Sequence, residues 1–279
     1  MKNIQHRIKK YFLNIAKIFF SKNTKILEKV SLFYFYTKIA FANFLNGRIL
    51  HLKSIKFLGF KIYFKTISEL EMLIEEIFID EAYYFKFKKN NPTIYDCGGN
   101  IGVSVLYFKH LYPGAKIKVF EPSPDVVALL EKNIEANNLK GVSVCSTALS
   151  DSEGTVSLFI REGMSLASTT SLEERRGGTE VTVRKSKLSE YIDEDVDLLK
   201  IDVQLSEGSV FKDLSAAASS KNIKSILMEY HYAFGVEDNN LSDILNFFEK
   251  NSFSYKISLN AEKPDGFKTY IIEASKKPV

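Results

Sequence analysis

The chain predicts an α/β fold, a mainly parallel sheet with helices on both faces, preceded by a basic helical extension. Three observations carry this prediction. After residue 92, short β-rich runs alternate with helix-patterned segments, the order that a helix-covered parallel sheet produces. Residues 92–102, Pro-Thr-Ile-Tyr-Asp-Cys-Gly-Gly-Asn-Ile-Gly, set a glycine turn between a strand and a helix, where no Cβ keeps a ligand from the backbone. Residues 1–60 hold twelve Lys or Arg against one acid, Glu28, a local charge of +11 in a chain whose total is +4, so the remainder carries −7.

The extension comes first. Tyr11–Phe20 and Val30–Leu45 are apolar runs broken by Lys17, and by Lys38 and Asn43. Both are shorter than a bilayer-spanning helix needs, and no signal-peptide cleavage site follows the first. No transmembrane span is expected, and the location expected is cytoplasmic. Two amphipathic helices with aromatic anchors and Lys/Arg flanks fit these runs. Residues 1–48 then either touch an anionic membrane peripherally, at its inner surface, or cap the catalytic domain or a second subunit of a homo-oligomer. Nucleic acid is not expected as a partner, because the basic residues are interleaved with aliphatics and form no recognition motif. Residues 49–65 read as a hairpin turned near Gly59. Ser68–Phe78 reads as a helix capped by Ser68, with Glu71 at the capping-box position. The domain boundary falls between 65 and 66, giving an extension (1–65) and a catalytic domain (66–279). Only two cysteines occur, Cys97 and Cys145, too few for a disulfide framework or a zinc site.

In the catalytic domain, Thr93–Tyr95 is the first strand and ends in Asp96; a helix starts at Val103. Ala115–Phe120 alternates as the second strand and ends in Glu121. A helix over Asp125–Asn138 leads to a third strand, Val142–Cys145. Gly154–Ile160 is an added strand whose partner is Glu180–Val183. Between them lies a polar loop in which Ser168 and Thr169 are candidate substrate contacts. Val196–Ile201 is the fourth strand, ending in Asp202. Ile223–Met228 is the fifth, ending in Glu229-Tyr230-His231-Tyr232. A helix over Leu241–Lys250 and two antiparallel strands, 253–257 and 268–272, close the sheet.

The chemistry follows from the strand ends. An acidic residue about 20 positions beyond a glycine loop is placed to bind a ribose diol, and Glu121 has that spacing. The turn lacks the G-x-G-x-x-G that packs a pyrophosphate on a helix start. A ligand without phosphate, S-adenosylmethionine, suits it better, with Asp96 near the cationic methionyl end; a nicotinamide-dependent oxidoreductase is the rival reading. Asp202 should share a crevice with Asp96 and Glu121, and Glu229 and His231, at the end of the neighbouring strand, stand in the same crevice. His231 or Asp202 is the candidate general base, and Glu229 a substrate contact.

Four motifs occur in order: Asp96-Cys97-Gly98-Gly99-Asn100-Ile101-Gly102, Val119-Phe120-Glu121-Pro122, Ala148-Leu149-Ser150-Asp151 and Leu199-Lys200-Ile201-Asp202-Val203. This set resembles the FkbM-type methyltransferases. The resemblance implies a class I methyltransferase (Rossmann-like) fold with a seven-stranded, mainly parallel sheet. It also implies S-adenosylmethionine as cofactor and O-methylation of a saccharide or natural-product hydroxyl. Asp96, Gly98, Gly99, Asn100, Gly102, Glu121 and Pro122 would then face the cofactor, with Ala148 and Leu149 at its adenine. The chain departs from the family after Val203, where Glu-Gly-Ala-Glu is expected and Gln204-Leu205-Ser206-Glu207 stands. A neutral amide weakens the acidic cluster, so no metal is expected. The same departure leaves open a catalytically weak relative that binds the cofactor and serves as a membrane- or partner-associated module.

Overall fold

The computed structural model describes residues 2–44, 52–160, 179–232, 239–262 and 266–276. The extension forms two long helices, α1 (Lys2–Phe20) and α2 (Ile26–Phe44). They run antiparallel: Phe19 meets Phe33, Tyr11 stacks on Tyr36, and Arg7 lies over Phe44. Strands β1 (Ser54–Phe57) and β2 (Phe60–Tyr63) form the expected hairpin. Its turn residues, Leu58 and Gly59, both have positive φ (46° and 85°), the backbone that matches a two-residue turn to strand twist.

Helix α3 (Ile67–Ile74) departs from its sequence reading at the cap. Thr66, not Ser68, is the N-cap, and its hydroxyl accepts from the Glu69 N–H. Thr66-Ile67-Ser68-Glu69 is itself a capping-box pattern, two residues ahead of the one chosen. After Ile74 the helix widens into a π-type turn, Glu75–Ile79. Its first two carboxylates part company. Glu75 accepts from Asn14 and Tyr36 in the extension, whereas Glu76 accepts from Tyr83 on the catalytic side.

The catalytic domain continues through β3 (Thr93–Cys97), α4 (Val103–Leu111), β4 (Lys116–Phe120), α5 (Pro124–Ala136) and β5 (Val142–Cys145). Then come β6 (Ala148–Leu149), β7 (Gly154–Ile160), β8 (Thr179–Ser186) and β9 (Leu198–Ile201). The chain closes with α6 (Glu207–Ala216), β10 (Ser225–Tyr232), α7 (Leu241–Lys250), β11 (Phe253–Glu262) and β12 (Lys268–Lys276). The seven-stranded sheet has the order β11-β12-β10-β9-β3-β4-β5. Only β12 opposes its neighbours; the remaining ladders are parallel. A second sheet, β6-β8-β7, contains the expected hairpin pair, with Val156 opposite Val183.

Alternation on β3 explains the layers. Ile94 joins one apolar cluster with Val105 and Leu130, while Tyr95 joins the other with Phe211 and Phe247. A central parallel strand is covered on both faces, so it reads as continuously apolar. The first cluster also takes in Phe35, Phe57 and Phe78, so the inner face of α2 and the hairpin pack on the same core as the sheet.

Strand β10 runs past its expected end. Its parallel pairing with β9 stops at Met228, but its antiparallel pairing with β12 continues through Glu229, His231 and Tyr232. Glu229 and His231 are thus strand residues two apart, projecting from one face.

Candidate active site

A cavity opens at the carboxyl ends of β3, β4 and β9. That is where open α/β sheets bind ligands. Gly98, Asn100, Glu121, Pro122, Ala148, Leu149 and Asp202 line it. Besides any ligand approach, the glycine turn has a cause within the fold. Gly98 has φ +86°, and a Cβ there would lie 1.8 Å from the backbone oxygen of Asp202. The close approach is between the ends of β3 and β9. At Gly99 a Cβ would lie 2.1 Å from Val119 Cγ1.

The turn also fixes Glu121. The Asn100 N–H donates to one carboxylate oxygen at 3.1 Å, and the Ser123 N–H to the other at 3.0 Å. Each oxygen keeps a lone pair for a hydroxyl. Burial outweighs these bonds and pushes the Glu121 carboxyl up to about 7. This cavity, with a fixed carboxylate at one side, fits the ribose and adenine of S-adenosylmethionine.

Asp96, Gly99 and Gly102 stand behind the cavity wall. Gly102 is the left-handed residue that starts α4. Asp96 is fully buried; Ser104 donates to it at 2.6 Å, and the Lys200 ammonium lies 3.0 Å away. Lys200 was not singled out by its sequence. It donates to the Gly98 carbonyl at 2.7 Å and sits 3.8 Å from Asp202, tying the two strand ends together. Burial opposes its charge, but Asp96 and Asp202 overcome that and raise its pKa.

Asp202 joins the cavity to a polar cluster, in which Glu229 and His231 meet as expected. The His231 Nε2 lies 3.8 Å from Asp202 and 3.9 Å from Glu229. Its Nδ1 is 2.7 Å from Glu207, a fully buried carboxylate that also accepts from Asn239 at 2.8 Å. Burial disfavours the imidazolium, yet Glu207, then Asp202 and Glu229, raise His231 to about 9. At neutral pH the ring is therefore protonated. Tyr83 places its hydroxyl 2.9 Å from Glu76 and 3.1 Å from Asp202. Burial, reinforced by Glu229 and Asp202, raises Glu76 to about 8. Burial and Asp202 likewise raise Glu229. Glu76, Tyr83 and Glu207 were missed as site residues: Glu76 and Tyr83 arrive from the helical segment before the sheet, which carries no catalytic motif. Ser168 and Thr169 lie outside the described residues.

Ligand-type atoms of Asp202, Glu229 and His231 lie within 4.8 Å of one another, a spacing a cation accepts. The Gln204 amide nitrogen stands between two of them, 3.1 Å from Asp202 and 3.2 Å from His231 Nε2. Gln204 and Leu205 have φ +51° and +70°, the left-handed region that favours glycine. The family's glycine at 205 would be unstrained there. Leu205→Gly is expected to stabilise the protein by about 1 kcal/mol, the scale of a strained left-handed residue. Urea unfolding checks this; lower stability would show that contacts of the leucine side chain outweigh the strain.

A single reversed strand beside the edge, a glycine turn after β3 and a buried carboxylate after β4 define a class I methyltransferase fold. Residues 96–255 match the family described as "Methyltransferase FkbM domain". The chain is 33% identical over 187 residues to "Methyltransferase sdnD" of Sordaria araneosa, covering 66% of each chain. It is 30% identical over 179 residues to "Methyltransferase 1" of Beauveria bassiana, 56% of this chain and 72% of that one. Over 89 residues it is 33% identical to "31-O-demethyl-FK506 methyltransferase FkbM" of Streptomyces tacrolimicus, 31% of this chain and 34% of that one. The chain belongs to the FkbM methyltransferase family, and its cofactor is S-adenosylmethionine.

Proposed function

We propose that this protein methylates a hydroxyl of a small-molecule acceptor, a saccharide or a natural product. The observation that carries the reading is Asp202, a carboxylate that lines the cofactor cavity and also borders the Glu76–Glu229–His231 cluster. When bound, S-adenosylmethionine supplies an electrophilic methyl group on a cationic sulfur. Glu121 would accept from the ribose hydroxyls, and Ala148 and Leu149 would hold the adenine. Asp202 takes the acceptor's hydroxyl proton. His231, oriented by Glu207, holds positive charge beside Asp202 at neutral pH. Glu76, Glu229 and Tyr83 offer hydrogen bonds to further hydroxyls of a polyol. Orientation of the acceptor oxygen supplies most of the acceleration. The name of the Streptomyces relative, a methyltransferase of 31-O-demethyl-FK506, supports an oxygen as the acceptor atom.

A second reading, a relative that binds the cofactor but transfers poorly, is favoured by the strained Gln204–Leu205 segment. Calorimetric titration with S-adenosylmethionine and its demethylated product tests both. The net negative cluster is expected to favour the cationic cofactor over the product. Binding of neither overturns the methyltransferase reading; binding of both without methylation of any hydroxyl acceptor supports the weak relative.

A further inference from the structure

The extension leaves an apolar surface bare. At the α1–α2 turn, Phe20, Ile26 and Leu27 are 83%, 78% and 80% exposed. Along α2, exposed Val30, Tyr34 and Phe41 continue from Ile26 at helical spacing on one side. The opposite side of the same helix is buried through Leu32, Phe35 and Ile39. A helix that is apolar on both faces implies a second apolar environment.

The turn that presents these side chains is held in place. The Glu81 carboxylate accepts from Ser21 at 2.6 Å, Thr24 at 2.8 Å and Asn23 at 2.5 Å. The Lys29 ammonium donates to the backbone oxygens of Phe19 and Ser21 at 2.9 and 2.6 Å. Glu81 itself has φ +53°, a strained backbone retained where it closes this turn. The bare apolar tip is thus fixed before it meets anything, which lowers the ordering cost of docking.

The charge around the tip selects the occupant. Lys22 and Lys25 are exposed in the turn, and Lys9 and Lys38 on the two helices. None of the four ammonium groups has a carboxylate partner among the described residues. Two copies of this face would bring like charges together. A surface of anionic headgroups over hydrocarbon matches both features, lysines at the headgroup level and aromatic and aliphatic side chains below. No described helix is long and apolar enough to cross a membrane, so the contact is a surface one.

We infer that the α1–α2 tip docks the protein on an anionic lipid bilayer. The test is flotation of the full chain with vesicles of phosphatidylcholine containing about one-third phosphatidylglycerol, and with vesicles of phosphatidylcholine alone, at low and high salt. At least tenfold stronger partitioning onto the anionic vesicles is expected, weakened by salt as surface charges are screened. Phe20→Ser with Leu27→Ser, and separately Lys22→Glu with Lys25→Glu, should each reduce it at least tenfold. Both pairs are exposed and lie outside the lining of the cofactor cavity, so unchanged S-adenosylmethionine affinity verifies folding. Equal partitioning of the wild-type protein and both variants overturns the inference. So does a concentration-dependent dimer that the serine pair abolishes in a protein that ignores anionic vesicles, which would make a second copy the occupant.

Discussion

Asp202→Asn is expected to lower kcat by about 10²- to 10⁴-fold, the usual worth of a positioned base, while leaving cofactor affinity within a few-fold of wild type. The substitution keeps the side-chain shape and the contact with Tyr83 but removes the proton acceptor. The Gln204 amide, which donates to Asp202, can turn over to accept from the new amide. The rate profile separates Asp202 from His231. The imidazole titrates near 9 and is charged at neutral pH. With Asp202 as base, kcat is level from pH 7 to 8.5 and falls above about 9, as the neighbouring positive charge is lost. A rate that instead climbs through pH 9 would move the base role to His231. The same group links pH to folding. A histidine raised from 6.5 to about 9 contributes stability below 6.5 that is lost as pH rises through 9, so alkaline sensitivity should diminish in His231→Gln.

Which parts of this site could be read from the chain depends on how local their causes are. The parallel strands are written in runs such as Ile117–Phe120, and α7 has the bounds its pattern gives, because apolar period and capping act within a few residues. Thr66 shows the limit of that logic: two overlapping capping patterns compete, and only the packing of α3 chooses between them. The length of β10 was not legible, since its last residues are held by β12, nearly forty positions later. Gly98 must lack a Cβ for a reason that its local sequence does not carry. The obstacle is the Asp202 carbonyl, more than a hundred positions away. Tyr83 reaches Asp202 across a similar separation, and Glu76 meets Tyr83 from a π-type turn with no sequence signature. Glu207 stood inside the recognised segment, yet its grip on His231 depends on the start of α6 meeting the end of β10.

Glu121→Ala is expected to weaken S-adenosylmethionine binding by about 1–3 kcal/mol, the range for lost hydrogen bonds to a charged group. In the wild-type protein the carboxylate is already held by the Asn100 and Ser123 amides, so little ordering remains when a diol arrives. Its burial gives the site a pH dependence with a definite sign. In the free protein the carboxyl titrates near 7, and the form that accepts two hydroxyls is the ionised one. At pH 8 most of the protein is competent, and at pH 6 only about a tenth is. Apparent affinity therefore falls about tenfold over that interval, as expected when the binding-competent fraction shrinks. Folding responds in the opposite sense. A carboxyl raised from 4.5 to about 7 favours the unliganded fold at low pH and withdraws that contribution as pH rises through 7. Bound cofactor compensates, because its hydroxyls stabilise the carboxylate. Calorimetry at pH 6 and 8, on wild type and Glu121→Gln, reads the effect directly. The variant should bind more weakly and lose the pH dependence that this carboxyl imposes, whereas a glutamine variant with unchanged affinity would place the ribose elsewhere.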